Sequence, residues 1–246
     1  MRDIRQGGHV ARLARGPRDV ARAQALRAEA FLGDAAGRDA DAHDAECLHV
    51  LVEEAAGGRL VCCFRVLLLE DGAGIARSYS AQFYELSALA AFEGRMAEMG
   101  RFCIRPGLGT DPDILRLAWA AMTRLVDDHG VAMLFGCSSF KGVEAEPYLD
   151  AFAVLGARHL APRRWWPRVK APAVFRFAER LKRHRPDLKA AMRHMPPLLR
   201  TYLMMGGWVS DHAVIDRQMG TLHVFTGVEI GAIPAARARM LRALAG

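Results

Sequence analysis

With 246 residues, 52% of them hydrophobic and 25% charged, the chain has the length and composition to bury a full core, which excludes a disordered or low-complexity protein. A net charge of +7 and a pI near 9.5 point to an acidic partner: nucleic acid, an anionic membrane or an acidic protein. No nucleic-acid motif accompanies the charge, so no nucleic-acid partner is expected. Five cysteines, at 47, 62, 63, 103 and 137, form no C-x-x-C pair and sit mostly in apolar, strand-like runs. They read as reduced core thiols and suggest the cytoplasm. The mixed, charged start of the chain has no apolar segment of the signal-peptide kind, and no apolar run reaches the ~18 residues of a membrane span.

In chain order, residues 9–13 form a first strand, and Gly16-Pro17 opens a helix in which the missing N–H of proline costs nothing. Val20, Ala23, Leu26, Ala30 and Phe31 keep helical spacing up to Gly33, with Arg27 and Phe31 one turn apart on one face. An acidic loop over 33–46 carries Asp39, Asp41 and Asp44; such loops are commonly just solvated. Two strands over 47–52 and 59–69 flank Gly57-Gly58 as a hairpin, and Arg65 interrupts the apolar run of the second. Residues 71–80 read as a loop and 82–91 as a short helix. A strand over 98–104 follows. Asp111 caps a helix with Pro112 in its first turn, an apolar face of Ile114, Ala118, Ala121, Met122 and Leu125, and a stop at Gly130. A buried strand over 133–137, a turn through residue 140 and a helix around 147–155 come next.

From 158 to 200 the composition shifts: twelve basic residues up to Arg193 face only Glu179 and Asp187. With Trp165 and Trp166 among them, and Val174, Phe175, Phe177, Ala178 and Leu181 placed to line one side of a helix, the stretch reads as a basic amphipathic helical arm for an anionic lipid surface or an acidic protein. A solvated arm is the plainer alternative. A compact apolar segment over 196–207 and a last strand over 221–230 complete an alternation of strands and helices, a single α/β domain around a mixed sheet.

The stretch Glu98-Met99-Gly100-Arg101-Phe102-Cys103-Ile104 organises this plan. It sets a carboxylate and a guanidinium three residues apart on an apolar strand, where each needs a partner or a ligand. The next helix begins beside the strand end, a common place for a phosphate. An acyl-transfer centre and a structural ion pair across the sheet are both compatible with these residues.

Arg27-x-x-x-Phe31, Asp39-x-Asp41-x-x-Asp44, Arg65 and Glu98-x-x-Arg101 together resemble the pattern of the acyl-homoserine-lactone synthases. The stretches "EMGRFCI", "LFGCSSFKGVE" and above all "MPPLLRTYLMMGGWVSDHAVIDRQMGTLHVF" are similar to a sister family, the bacterial ornithine Nα-acyltransferases. The resemblance runs from about residue 20 to 230. It implies a GNAT fold and transfer of a 3-hydroxyacyl group from acyl carrier protein to the α-amine of L-ornithine, the first step to ornithine lipid. It implies Glu98 as base, with Arg101 holding it or the acidic loop, and a backbone N–H near Phe102 or Cys103 as oxyanion donor. Asp39, Asp41 and Asp44 would hold the ammonium groups of ornithine, and Arg27 or Arg65 its carboxylate; the alternative implied by the lactone synthases is that the same residues organise the N-terminal loop.

The loop after the strand departs from the family, which usually carries Tyr-Arg and more basic residues there. Arg105-Pro106-Gly107-Leu108-Gly109 is one residue short of the R-x-x-G-x-G phosphate loop. The implied donor is therefore a phosphopantetheine arm with one phosphate, at Arg105, Gly107 and Gly109, in place of coenzyme A. Arg180, Lys182 and Arg183 are the expected docking residues for acyl carrier protein or the membrane. No metal and no bound cofactor are expected, since the nine histidines show no ligand spacing. Acyl-homoserine-lactone synthesis and a non-catalytic carrier- or membrane-binding module are the competing readings. The expected location is the cytoplasm, with peripheral contact at the inner membrane.

Overall fold

The computed structural model describes residues 1–109 and 111–245. In chain order come β1 (Ile4–Gln6), β2 (His9–Leu13), α1 (Pro17–Leu32), β3 (Leu48–Glu54), β4 (Leu60–Leu69), β5 (Tyr84–Glu85) and β6 (Met96–Ile104). There follow α2 (Pro112–His129), β7 (Met133–Lys141), α3 (Leu149–Arg158), β8 (Arg168–Val169), β9 (Val174–Phe175), α4 (Phe177–Arg180), α5 (Leu188–His194) and α6 (Pro197–Met204). Last come β10 (Trp208–Val209), β11 (Ala213–Asp216), β12 (Thr221–Glu229) and α7 (Ala235–Ala245). Two compact units interleave in sequence: the first takes residues 1–68, 97–131 and 235–246, the second 69–96 and 132–234.

In the first unit the strands lie in the order β1-β2-β3-β4-β6. β3 and β4 pair antiparallel across the turn at Gly57 and Gly58, whose φ angles of 82° and 64° suit glycine, and the register sets His49 opposite Arg65. Helix α1 starts with Pro17 and stops at left-handed Gly33, whose N–H donates to the Ala28 carbonyl. Its Ala23 and Leu26 pack against Leu51, Leu60, Cys63 and Cys103, with Phe31 at the margin. Helix α2 begins where the Asp111 carboxylate accepts the Asp113 N–H at 2.8 Å and ends at left-handed Gly130. Strand β1, three residues long, is too short to be legible in the sequence, whereas helix α7 does carry a signal, absent from the expected elements: Pro234 followed by a run of Ala, Arg, Met and Leu, all strong helix formers. Helix α7 is held on α2 through Arg242, which grips Asp127 with bonds of 3.0 Å.

In the second unit β7, β12, β11 and β9 lie side by side, β10 pairs with β12, and β5 pairs with β8. Phe152 of α3 centres the core, stacked on Phe177 and in contact with Phe140 and Phe175. The segment from α6 to β12 is built on close approaches. A Cβ at Gly207 would stand 2.7 Å from the Tyr202 carbonyl oxygen, and one at Gly227 would stand 2.7 Å from the Trp208 ring. Only glycine lets the indole lie across β12, where it stacks on Phe225.

The basic stretch is not one helix. Pro167, Pro172, Pro186 and Pro196 interrupt it, because proline lacks the helical N–H donor and restricts the residue before it. What forms instead is the short strands β8 and β9, the single turn α4 and the two-turn α5. Phe175 and Phe177 face the core, and Trp165 is tied by its Nε1–H to Glu229 at 3.2 Å. Residues 82–91 are likewise short 3-10 turns around β5, not a helix. No helix among the described residues is long and apolar enough to cross a membrane.

Candidate active site

The acidic loop, α1, β4 and β6 of the first unit meet in a closed ring of charges. Arg27 reaches the ring because it stands beside Leu26 and one turn after Ala23, on the side of α1 that packs inward; it is 1% exposed. Its Nε donates to Asp39 at 2.8 Å, and its Nη1 and Nη2 donate to Asp44 at 2.7 and 3.1 Å. Arg65 donates to Asp44 at 2.6 Å and, through both terminal nitrogens, to Asp41. Arg101 closes the circuit, donating to Asp39 at 2.9 Å and to Asp41 at 3.1 Å. Each arginine thus serves two aspartates and each aspartate two arginines, and the six charges sum to zero.

The loop is also fixed by its backbone. The Asp39 N–H donates to the Gln24 carbonyl at 3.1 Å. Asp41 caps the short turn over Ala42–Ala45, accepting the His43 N–H, while Asp44 accepts the Asp41 N–H. Gln24 Nε2 donates to Asp44 at 3.0 Å, and the His49 ring bonds the Asp44 carbonyl at 2.9 Å. Gln24 and His49 carry no motif. Only the helical register of Gln24 beside Arg27 and the pairing of His49 with Arg65 reveal them.

Burial alone would push the Asp44 carboxyl up, but the hydrogen bonds from Arg27, Gln24 and Arg65 outweigh it and hold the group well below the carboxylate range. Asp41 is lowered in the same way by Arg65 and Arg101 against its desolvation. Burial opposes the charge of Arg27, and Asp44 and Asp39 more than restore it. Asp41, Asp44, Arg27 and Arg65 are therefore held in their charged forms by one another and by their neighbours.

Arg101 is the one non-glycine residue with positive φ among the described residues, at 53°. A left-handed residue inside a strand interrupts the alternation of faces, and the burial of β6 shows it: Met96 to Met99 are all buried, Gly100 to Phe102 are partly open, and Cys103 is buried again. Glu98, 4% exposed, lies three residues before Arg101. Its charge reaches the Cys47 thiol, which burial pushes up to about 12 with Arg65 opposing and Glu98 adding. Cys103 packs against Cys63 with sulfurs 3.5 Å apart, and all five cysteines are free. Phe102 stacks on Phe64.

After β6 the chain turns through Arg105 to Gly109; Thr110 lies outside the described residues. Arg105 Nε donates to the Leu60 carbonyl at 2.9 Å and Nη1 to Glu29 at 2.5 Å. Gly107 has φ 87°, whereas a side chain at Gly109 would meet open space. In the second unit Arg180 lies over the Phe175 ring at 5.6 Å, and Lys182 and Arg183 are exposed.

A second charged cluster of the first unit escaped the sequence. Arg12 grips Asp19 at 2.6 and 2.9 Å and Glu53 at 2.6 and 2.9 Å, and Arg22 joins Glu53 at 2.5 Å. It ties β2, β3 and the start of α1 together.

The acetyltransferase (GNAT) domain family matches residues 22–120. The chain is 30% identical to the L-ornithine N(alpha)-acyltransferase of Rhodobacter capsulatus over 228 residues, 87% of this chain and 86% of that protein. It is also 30% identical to the enzyme of the same name from Rhizobium meliloti over 239 residues, 90% and 80% of the two chains. Among solved structures, TofI in an apo form shares the fold with a TM-score of 0.50, over 96% of this chain and 98% of TofI at 18% identity.

Proposed function

The chain belongs to the L-ornithine N(alpha)-acyltransferase family and is an acyltransferase of the GNAT fold, and from that membership we propose that it moves a 3-hydroxyacyl group from acyl carrier protein to the α-amine of L-ornithine, giving lyso-ornithine lipid. The observation that carries the chemistry is Glu98: a buried carboxylate on the strand whose backbone turns left-handed at Arg101. The ornithine amine gives up a proton to Glu98, directly or through one water, because an ammonium has no lone pair. The free amine attacks the thioester carbon, a C–N bond forms, the C–S bond breaks, and the thiolate leaves with a proton. A backbone N–H at Phe102 or Cys103 receives the developing oxyanion. Arg105 with Gly107 and Gly109 holds the single phosphate of the phosphopantetheine arm.

For the acceptor, the ring suggests a division of labour. Arg27, Arg65, Asp39 and Asp44 are mostly buried and each is engaged by two partners within the ring, which supports a role in shaping the loop. Asp41, at 25% side-chain exposure the most open member, is the group we assign to an ammonium of ornithine.

The test is reconstitution. The purified chain, 3-hydroxyacyl carrier protein and single amino acids are incubated, and the products are weighed by mass spectrometry. The expected outcome is an acyl-ornithine in which, with α-15N ornithine, fragmentation finds the acyl group on the labelled nitrogen. Acylation of another amine in preference to ornithine overturns the acceptor assignment, and activity with acyl-coenzyme A equal to that with acyl carrier protein overturns the donor.

A further inference from the structure

Helix α5 has an apolar stripe wider than the core covers. Ala191 and Met195, one turn apart, are 0% and 1% exposed, and Met195 belongs to the core around Phe152. Leu188 and Met192, also one turn apart, are each 49% exposed and stand next on the helix circumference. Beyond them come Lys189 and Arg193, both exposed, while Arg183 and Arg185 are exposed in the turn before the helix. Lys189, Arg193, Arg183 and Arg185 form no ion pair among the described residues. The nearest carboxylate along the chain, Asp187, is spent on the helix N-terminus, accepting the Lys189 and Ala190 N–H groups. Asp150 is engaged by His184 at 2.8 Å.

We propose that α5 and the turn before it are a membrane-surface seat, on which Leu188 and Met192 enter the headgroup boundary of an anionic bilayer while Lys189, Arg193, Arg185 and Arg183 meet lipid phosphates. The order around the helix, core-facing, then exposed apolar, then basic, is the order of an interfacial helix. Unpaired cations beside two flexible apolar side chains fit a surface that is both negative and deformable. An acidic protein would satisfy the charges but needs no exposed Leu and Met one turn apart. The seat does not rest on the donor or acceptor assigned above; it shares Arg183 with the expected carrier-protein docking residues and differs from Arg180 and Lys182 by its apolar half.

The experiment is flotation of the full-length chain with vesicles of phosphatidylglycerol and phosphatidylcholine, against phosphatidylcholine alone. Binding to the anionic vesicles only is expected. Leu188→Ser with Met192→Ser should weaken partitioning roughly tenfold or more, and Lys189→Glu with Arg193→Glu should abolish it. Leu32→Ser, a change at an exposed apolar side chain of the other unit, should leave it unchanged. All five substituted positions are on the surface, and far-UV circular dichroism reports that the fold is intact. Three results overturn the proposal: no flotation at low salt; flotation lost in the charge variant but untouched in the apolar one; or binding of purified acyl carrier protein, without vesicle binding, that depends on the four α5 residues.

Discussion

At the residue scale, Glu98 and Arg101 carry separable predictions. Glu98→Gln keeps the shape and removes the proton acceptor, so kcat at neutral pH should fall roughly 10²–10⁴-fold with donor binding little changed. Steady-state rates beside carrier-protein binding measure this, and near wild-type turnover would place the base elsewhere. Arg101 holds a backbone conformation that costs a non-glycine residue ~1 kcal/mol or more. Arg101→Gly and Arg101→Ala both delete the guanidinium, but only glycine relieves the backbone. Urea denaturation should therefore find the glycine variant more stable than the alanine variant by about 1 kcal/mol. Equal stabilities would mean that β6 relaxes once the guanidinium is gone.

At the scale of elements, the ring joins α1, the acidic loop, β4 and β6, and deleting one member leaves a buried charge unpaired. Arg27→Met should cost about 3–5 kcal/mol, because Asp39 and Asp44 each lose a partner. Asp41→Asn, at the open edge, should cost less and raise KM for ornithine; a lower Tm with unchanged kinetics would leave Asp41 a brace only. Acid should act on the two units in different windows. Burial holds the His223 imidazole down at about 4, with Asp216 opposing. Its Nδ1 lies 3.1 Å from the Tyr84 hydroxyl, which donates to the His223 carbonyl at 2.7 Å. A depressed histidine stabilises fully above its unfolded pKa of ~6.5 and loses that contribution as pH falls to about 4, on the order of 3 kcal/mol. The depressed Asp41 and Asp44 contribute fully above ~3.9 and lose it only below. Tm measured against pH should show both steps, and His223→Gln should flatten the upper one alone.

At the scale of the molecule, the net charge of +7 is unevenly placed: twelve basic residues lie between 158 and 193. Acyl carrier proteins are acidic, and opposite charges steer encounter until salt screens them beyond ~8 Å at physiological ionic strength. Reversing Arg180, Lys182 and Arg183 to Glu should raise KM for acyl carrier protein and flatten the salt dependence of the rate. Activity on a small acyl-pantetheine should survive. Loss of both activities would mean that the substitutions damage the second unit, where Arg180 covers the Phe175 ring.

Local physics was legible in the residues themselves. Pro17 and Gly33 bracket α1, Asp111 and Gly130 bracket α2, and Gly57-Gly58 turns β3 into β4, because caps and turns depend on a few neighbouring backbone groups. The resemblance to the acyl-homoserine-lactone synthases also named every charged member of the ring, which spacing by itself leaves as a solvated acidic loop and scattered arginines. What it could not reveal is that three arginines and three aspartates neutralise one another. That circuit depends on Arg65 standing opposite His49, on Arg27 pointing into the core, and on the left-handed turn at Arg101, all set by long-range pairing. The basic stretch departs from the helical arm its composition suggests for a related reason. Its apolar residues keep helical spacing, but the prolines break the backbone and the core takes Phe175 and Phe177 from a strand and a single turn. Composition thus determined the class and charge of this protein, and short-range chemistry its caps and turns. Tertiary structure alone decided which charges are spent on each other and which still face outward, because burial and pairing are properties of neighbours brought together from distant parts of the chain.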